Sequence, residues 1–219
     1  DWTKTFTGES ITGGVTVYNG AVYVGTNVGS PLNNGRLHTI DLSSHNERAN
    51  SPAIIQYGVD YTTPVIDANF SLGARCYVSD FSCYVTAAQC SDGMKKWEWE
   101  RDGSSFFSSP TVYGGYIFVG SHVNGMYRII DAGSNYQEPN PYMYTGAGSV
   151  INSTATAWQG KLYFCTDSGN VCRIDTTNFT TADWASIPNS QFAAPITSSP
   201  LISTPTGLLF SSTVNGYIF

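Results

Sequence analysis

The chain has 219 residues, of which 41% are hydrophobic, 14% aromatic and only 12% charged, and its formal net charge is -6. This composition excludes a disordered chain, which would be rich in charge and poor in aromatic residues. Ten basic residues against sixteen acidic ones argue against nucleic-acid or anionic-membrane partners, and no apolar run reaches the roughly 18 residues of a membrane-spanning helix. We expect one folded domain, 1–219, from a processed or excised chain, since it starts at Asp1 rather than Met.

A repeat of about 45 residues runs along the chain. Five equivalent positions define it, and they are Val15, Pro64, Pro110, Thr154 and Pro200, with spacings of 49, 46, 44 and 46 residues. This period lies in the range of a four-stranded propeller blade. The predicted repeat units are 7–57, 58–101, 102–145, 146–190, and 191–219 together with 1–6.

The N-terminal segment 1–6 carries Trp2 and Phe6 and is predicted to be an outer strand without a sheet of its own. The fifth unit stops at Tyr217 and Phe219, where its own outer strand should begin. We therefore expect the N-terminal strand to complete the last blade, which closes the ring and removes an exposed sheet edge. In an alternative that stays open, the segment completes the last blade of a neighbouring molecule, and repetition of that exchange builds a fibre.

Within each unit, apolar runs rich in Val, Ile, Tyr and Phe alternate with Gly, Asn and Ser, which is typical of β-strands. Dipeptides suited to two-residue hairpin turns follow one such run at Asn124-Gly125, Ser168-Gly169 and Asn215-Gly216. Outer strands are predicted at 54–57, 97–99, 142–144 and around Trp184. No helix of ordinary length fits, so the sequence predicts an all-β fold, a five-bladed β-propeller of four-stranded antiparallel blades.

The hairpins resemble the repeat of the pyrroloquinoline-quinone-like β-propeller family. The pattern of that family is matched at 22–26 (Val-Tyr-Val-Gly-Thr), 117–121 (Ile-Phe-Val-Gly-Ser), Ile130-Asp131 and Arg173-Ile174-Asp175, and its tryptophan-docking motif at Ala87, Gln89, Asp92, Gly93 and Trp97. The resemblance implies the propeller fold. The quinoprotein dehydrogenases of the family are eight-bladed rings that hold the quinone and a calcium ion, and none of their ligands can be placed on this chain. We therefore predict no cofactor, although a fragment of such an enzyme remains an alternative.

The five cysteines suggest disulfides. If Ser168-Gly169 is a two-residue turn, Cys165 and Cys172 lie opposite each other on adjacent strands, within reach of a disulfide. Cys76 and Cys83 have the same separation, and Cys90 is then left over as a free thiol, an interchain partner or a replacement for Cys83. Two hairpin disulfides predict an oxidising compartment, extracellular or at the cell surface, with the periplasm as another location. Five buried, reduced thiols are the alternative.

A metal or catalytic site is not predicted from the sequence. No Cys-x-x-Cys pair is present, and His38, His45 and His122 lie in different units or in loops. The motifs of serine hydrolases, phosphate-binding loops and EF-hands are also missing from the sequence. We therefore expect no metal and no enzymatic activity.

Aromatic residues outside the apolar runs offer a candidate ligand surface, because exposed rings suit sugars. These residues are Trp158, Tyr136, Tyr142 and Tyr144. Packing of the same rings between blades is the alternative. The two longest departures from the repeat, 27–34 and 43–52, are predicted to carry a partner surface.

The function predicted from these patterns is a non-catalytic extracellular scaffold that is structural, self-assembling or protein-binding. Its expected partners are other copies of itself, as a homo-oligomer or filament, or other extracellular proteins. A carbohydrate-binding propeller is the alternative function, with glycans as partners. Trp2, Phe6, Tyr217 and Phe219 are the residues expected to mediate strand exchange or ring closure.

Overall fold

The computed structural model describes residues 1–29, 34–82, 84–101, 105–123, 125–146, 149–180, 182–185 and 194–218. In these ranges the regular elements are all strands, and no helix that could cross a membrane is found. The all-β prediction is therefore confirmed. The strands fall into two compact units, one formed by Asp1–Gly103 with Ala132–Tyr136 and the other by Ser104–Asp131 with Gln137–Phe219. The prediction of one domain over 1–219 stays a prediction.

Two antiparallel sheets make up most of the first unit. The first sheet contains β1 (Glu9–Ser10), β2 (Val15–Tyr18), β3 (Ala21–Val28), β4 (Gly35–Asp41) and β5 (Ala53–Ile55). Both β1 and β2 pair with β3, and β4 and β5 follow on its other side. The second sheet has the strand order β6 (Val65–Asp67), β7 (Arg75–Ser79), β8 (Tyr84–Gln89) and β9 (Lys95–Glu100).

The second unit is built from three further sheets. The third sheet contains β10 (Thr111–Tyr113), β11 (Tyr116–Gly120), β12 (Met126–Asp131), β13 (Tyr136–Gln137) and β14 (Met143–Tyr144). The fourth sheet has the order β15 (Thr156–Trp158), β16 (Lys161–Cys165), β17 (Val171–Asp175) and β18 (Ala182–Ala185). The fifth consists of β19 (Leu201–Ser203) and β20 (Leu208–Phe210), with an isolated bridge between Ser212 and Ile218.

The sheets follow the predicted repeat. Each described sheet lies within one repeat unit, and the predicted outer strands occur as β5, β9, β14 and β18. The fifth sheet departs from the prediction, because it has two described strands instead of four.

A tight turn occurs at the same position of the repeat in three sheets, where it joins β2 to β3, β10 to β11 and β15 to β16. The turn residues are Asn19-Gly20, Gly114-Gly115 and Gln159-Gly160, and all six have positive φ angles. Positive φ at both central residues defines a type I′ turn, whose twist matches that of the flanking strands. Glycine at the second position adopts this conformation without steric cost, which explains why it recurs there.

A hydrogen bond links the innermost strands of neighbouring sheets within each unit. The hydroxyl of a threonine donates to a backbone carbonyl in the next sheet, and the pairs are Thr16 with Pro64, Thr111 with Ala155 and Thr156 with Pro200. We call this contact the threonine joint. It shows that Ala155, not Thr154, is the equivalent of Pro110 and Pro200, so the repeat spacings become 49, 46, 45 and 45 residues.

The core of each unit lies between its sheets. In the first unit Tyr23, Leu37 and Ile55 of the first sheet pack against Cys76 and Val78 of the second. In the second unit the main cluster joins the third and fourth sheets, and it includes Phe118, Met126, Tyr144, Leu162, Phe164, Ile174 and Phe179. A smaller cluster of Cys165, Val171 and Ile196 contacts Leu209 of the fifth sheet. Within each unit, successive sheets therefore pack face to face.

Candidate functional site

A partly buried network of polar side chains lies on the face of the first sheet that points away from the second sheet. The Glu9 carboxylate accepts hydrogen bonds from Thr26 (2.5 Å), Arg36 (2.5 Å) and His38 Nε2 (2.8 Å). The other ring nitrogen of His38, Nδ1, lies 2.9 Å from the Glu47 carboxylate. Burial raises the pKa of Glu9, but the bonds from Thr26 and His38 outweigh it, so the pKa lies below its ordinary value.

The strands explain how this network assembles. Thr26, His38 and Arg36 alternate with core residues along β3 and β4, so their side chains share one face of the sheet. Glu9 reaches that face because β1 pairs with the end of β3, opposite Val28. Both nitrogens of the His38 ring are engaged by carboxylates, which makes the network a cross-link between β1, β4 and the segment around Glu47.

The N-terminal segment 1–8 covers part of the same face. The Phe6 ring lies 4.1 Å from the His38 ring, and the Trp2 ring stacks on His45 at 4.7 Å between centroids. Residues 1–6 form no strand, which differs from the outer strand predicted there. Closure of the last sheet by Trp2 and Phe6 is not confirmed, since their rings contact histidines of the first repeat unit.

The predicted disulfides are not formed among the described residues. Cys165 pairs with Val171, and Cys172 with Phe164, because residues 166–170 form a five-residue connection instead of a two-residue turn. This shift of one residue turns the two cysteine side chains to opposite faces of the sheet. Cys76, Cys90, Cys165 and Cys172 are all free and buried, whereas Cys83 lies outside the described residues.

Burial disfavours the reactive, thiolate form of these cysteines. Burial raises the pKa of Cys165 to about 11, that of Cys172 to about 12 and that of Cys90 to about 11. The thiolate is the nucleophilic form, so these pKa values oppose both oxidation and metal binding at neutral pH. No cluster of three or more His, Cys, Asp or Glu side chains suited to a metal occurs in the described part of the chain.

The four aromatic residues predicted as a ligand surface lie in different environments. Tyr144 is buried in the core of the second unit, against Phe164 and Phe179. Tyr136 contacts the edge of the Trp97 ring at 5.9 Å, and Tyr142 stacks on Tyr127 at 6.4 Å.

Trp158, the fourth of these residues, is half-buried beside Gly207 of the fifth-sheet hairpin. The structure therefore assigns Tyr144 to the core, as the packing alternative expects. Glycan binding by the other three rings stays a prediction.

The loop 43–52, predicted to carry a partner surface, is anchored to the second repeat unit. Arg48 donates a hydrogen bond to the carbonyl of Cys90 (2.6 Å), and Asn50 donates one to the carboxylate of Asp92 (2.9 Å). These polar groups are therefore engaged within the first unit. In the other loop, 27–34, residues 30–33 lie outside the described residues.

Asp80 is a buried carboxylate at the end of β7. Its Oδ1 accepts hydrogen bonds from the backbone N–H groups of Ser82 (2.8 Å) and Tyr84 (3.0 Å). The hydroxyls of Thr166 and Thr213 accept the N–H four residues ahead in the same way. Burial raises the pKa of Asp80 to about 7 although the N–H bonds oppose this shift. Its geometry is that of a turn cap.

The fifth sheet is apolar on both faces. Ile202 is buried and Leu209 packs against Cys165, Val171 and Ile196 on one face. The opposite face presents Leu201, Leu208 and Phe210, which are 67%, 57% and 40% exposed. We call this exposed surface the L201 face. Strands that are apolar on both faces usually lie between two layers of protein, so one covering layer is missing here. Consecutive apolar residues in β19 and β20 are the sequence signal that could have indicated this surface.

The innermost strand of the first sheet is also exposed. Val15 and Val17 of β2 are 58% and 63% exposed. They pair with Val24 and Val22 and therefore lie on the face that carries His38. The N-terminal segment covers the His38 end of this face, while its β2 end is open. We call the surface formed by Val15 and Val17 the V17 face.

Comparisons with known proteins identify the fold. No family model and no curated protein matches the chain, but 519 chains of solved structures do. BamB from Moraxella catarrhalis matches with a TM-score of 0.65 and 13% identity, over 95% of this chain and 57% of the BamB chain. The chain has a β-propeller fold.

A second match is the computationally designed Ika8 protein. Its TM-score is 0.62 at 10% identity, and the alignment covers 93% of this chain and 56% of Ika8. The chain thus spans little more than half the length of both proteins. Identities this low show the fold alone, so membership of the pyrroloquinoline-quinone-like family stays a resemblance.

Proposed function

We propose that the chain is a non-catalytic β-propeller scaffold that assembles with other copies of itself through the L201 face. The observation that carries this proposal is the asymmetry of the fifth sheet. Its Leu209 face is covered by the fourth sheet, whereas the L201 face is equally apolar and open. Exposed apolar patches of this kind mark interaction sites in soluble proteins.

The energetics support association through this face. Removing a large apolar side chain from water stabilises a contact by about 1.5–3 kcal/mol, and Leu201, Leu208 and Phe210 are adjacent on paired strands. No Asp, Glu, Lys or Arg follows Asp183 in the sequence. Covering the L201 face therefore does not require desolvation of a charged side chain of the fifth repeat unit.

A non-catalytic role is supported by the partners of the buried charged groups. Glu9 and His38 cross-link strands of the first sheet, and Asp80 caps a turn. Arg128 is buried beneath the rings of Tyr116 and Phe179, and its guanidinium donates to three backbone carbonyls. Each of these contacts joins elements of the fold.

An extracellular or cell-surface location is part of the proposal. The predicted disulfide between Cys165 and Cys172 no longer supports this location, because both thiols are free. Fractionation of the source cells, with an antibody raised against the chain, tests the location directly. Recovery of the protein in the cytosolic fraction alone would remove this part of the proposal.

Sedimentation velocity over a range of protein concentrations tests the proposed assembly. We expect the wild-type chain to associate as its concentration rises, and Leu208→Lys to abolish the association by placing a charge on the L201 face. Thr204→Lys is the matched control, since it adds the same charge to an exposed position of the same hairpin. A wild-type chain that stays monomeric at high concentration, or a Thr204→Lys variant that loses association equally, contradicts the proposal.

A further inference from the structure

We infer that the L201 face of one copy docks on the V17 face of a second copy, so that assembly is head-to-tail. This inference rests on the proposed self-assembly and adds the site on the partner and the direction of growth. It is argued from the contacts that already join neighbouring sheets inside the chain.

The internal junctions have a constant polarity. In each threonine joint the earlier sheet supplies the hydroxyl and the later sheet supplies the carbonyl. In the first, third and fourth sheets, the face that carries the joint threonine therefore points to the next sheet of the same unit. In the second, fourth and fifth sheets, the opposite face receives the preceding sheet. A sheet in this arrangement has one forward face and one receiving face, and they are not equivalent.

The repeat assigns the two exposed faces to these two classes. Leu201 follows Pro200 as Thr111 follows Pro110, so Leu201 occupies the position of the joint threonine and the L201 face is a forward face. Val15 occupies the position of Pro64, Ala155 and Pro200, which supply the joint carbonyls, so the V17 face is a receiving face. The faces are therefore complementary in the same sense as the two sides of an internal junction.

Docking on this pattern places Leu201 of one copy against Val15 of the next. The hydroxyl of the threonine joint is replaced there by an apolar side chain, so the contact is held by burial of Leu201, Leu208 and Phe210 against Val15 and Val17. All five side chains are at least 40% exposed in the single chain. No charged residue occurs between Glu9 and Arg36, so the strands of the V17 face also bring no charge into the contact.

The N-terminal segment restricts where the second copy can bind. Phe6 and Glu9 occupy the face over His38 and Arg36, whereas β2 is left open. Internal junctions also place inner strand next to inner strand, as the joint between Thr156 and Pro200 shows. The N-terminal segment and a docked β19 therefore do not compete for the same part of the first sheet.

A contact between two different faces leaves each pair with one free L201 face and one free V17 face. Such heterologous contacts produce closed rings or open filaments, whereas a contact of the L201 face with itself would stop at a dimer. The two modes are distinguished by blocking one face at a time.

Two blocked variants test the inference by sedimentation velocity and size-exclusion light scattering. Val17→Lys blocks the receiving face and Leu208→Lys blocks the forward face. Both side chains are exposed, so we expect both variants to fold like the wild type. We expect each variant alone to be monomeric, with self-association at least about tenfold weaker than that of the wild type. Mixed in equal amounts, they should form a capped heterodimer of twice the 23.7 kDa monomer mass, because each retains the face that the other lacks.

Each other outcome has a defined meaning. If Val17→Lys alone still forms a dimer that Leu208→Lys abolishes, the L201 face pairs with itself. The head-to-tail inference is then wrong, while the proposed self-assembly holds. If the two variants stay monomeric on mixing although the wild type associates, the L201 and V17 faces do not bind each other, and the head-to-tail inference is wrong. If the wild type does not associate at all, the proposed function and the inference both fail.

Discussion

Thr111 donates a 2.7 Å hydrogen bond from its hydroxyl to the backbone carbonyl of Ala155, and through this bond the inner strands of the third and fourth sheets are joined. The joint recurs at Thr16 and at Thr156. It is a small contact, but its recurrence at one position of the repeat makes it a defined target for substitution.

Replacing Thr111 with valine should lower the free energy of unfolding by about 1 kcal/mol, which is the usual net contribution of one intramolecular hydrogen bond. Valine has nearly the shape of threonine and favours strands, so packing and propensity change little. Thr111→Ser is the matched control, because it keeps the hydroxyl. Urea denaturation measures the free energy of unfolding of both variants and of the wild type. A Thr111→Val variant as stable as the wild type would show that the joint contributes nothing to stability.

Asp80 should make the stability of the protein fall as the pH rises from about 4 to about 7. Its pKa is raised from 3.8 to about 7 in the folded state, so the folded chain holds a proton that the unfolded chain has released in this interval. Asp80→Asn keeps an oxygen that can accept the N–H bonds of Ser82 and Tyr84 and carries no charge. The variant should therefore be more stable at pH 8 by roughly 1–4 kcal/mol.

Thermal unfolding of the wild type and Asp80→Asn at pH 4, 6 and 8 measures this effect as a difference between two curves. Other carboxylates, such as Glu9 and Asp175, have lowered pKa values and titrate alike in both proteins, so they cancel in the difference. Parallel curves, with no change in the difference across this range, would contradict the buried, proton-binding state of Asp80.

Glu9 should hold the N-terminal segment on the first sheet. Its lowered pKa means that its contribution is present above the ordinary glutamate value of 4.5 and is lost as the pH falls through the folded-state value. At neutral pH, Glu9→Gln removes the ion pair with Arg36 and weakens the bond to His38. Trypsin should then cleave after the exposed Lys4 several times faster than in the wild type.

Cleavage after Lys95 and Lys96, which lie in β9, serves as the internal control for this experiment. Their cleavage rates should be the same in both proteins if the second sheet is unaffected. Equal acceleration at all three lysines would indicate global destabilisation and would count against a local role of Glu9.

The four described thiols should resist alkylation in the native state. Cys76, Cys90, Cys165 and Cys172 are buried and free, and thiols with raised pKa values react slowly because little thiolate is present. With iodoacetamide at pH 8, mass spectrometry should find these peptides unmodified in the native protein and modified after denaturation. A reducing agent should leave the melting temperature unchanged. A drop on reduction would restore the disulfide hypothesis.

The repeat, the all-β class and the outer strands could be predicted from the sequence, because strand signals and glycine turns are local. The strand at 97–99, for example, occurs as part of β9, where Trp97 pairs with Ala87. The equivalent position in the fourth unit was predicted one residue too early, at Thr154. The sequence does not distinguish among the three small residues Ser153, Thr154 and Ala155 as the equivalent of Pro110. Only the hydrogen bond from Thr111 identifies Ala155.

Three further features could not be predicted from short sequence patterns. Ser168-Gly169 is suited to a two-residue turn, but Thr166 and Asn170 close a longer connection, and Cys165 and Cys172 are thereby separated. Trp2 and Phe6 fit the composition of a strand, yet their rings contact histidines of the first repeat unit. The hydrogen bond between Glu9 and His38 joins residues 29 positions apart, and no short sequence motif predicts such a pair.

The threonine joint also bears on how a chain of this kind can change its length during evolution. Each joint requires one hydroxyl and one carbonyl at fixed positions of a unit of about 45 residues. The fourth unit supplies both halves, the carbonyl of Ala155 and the hydroxyl of Thr156, so duplication of this unit in the gene can insert a new sheet with both junctions re-formed unchanged. Units of this construction can be gained or lost singly, without compensating substitutions in their neighbours.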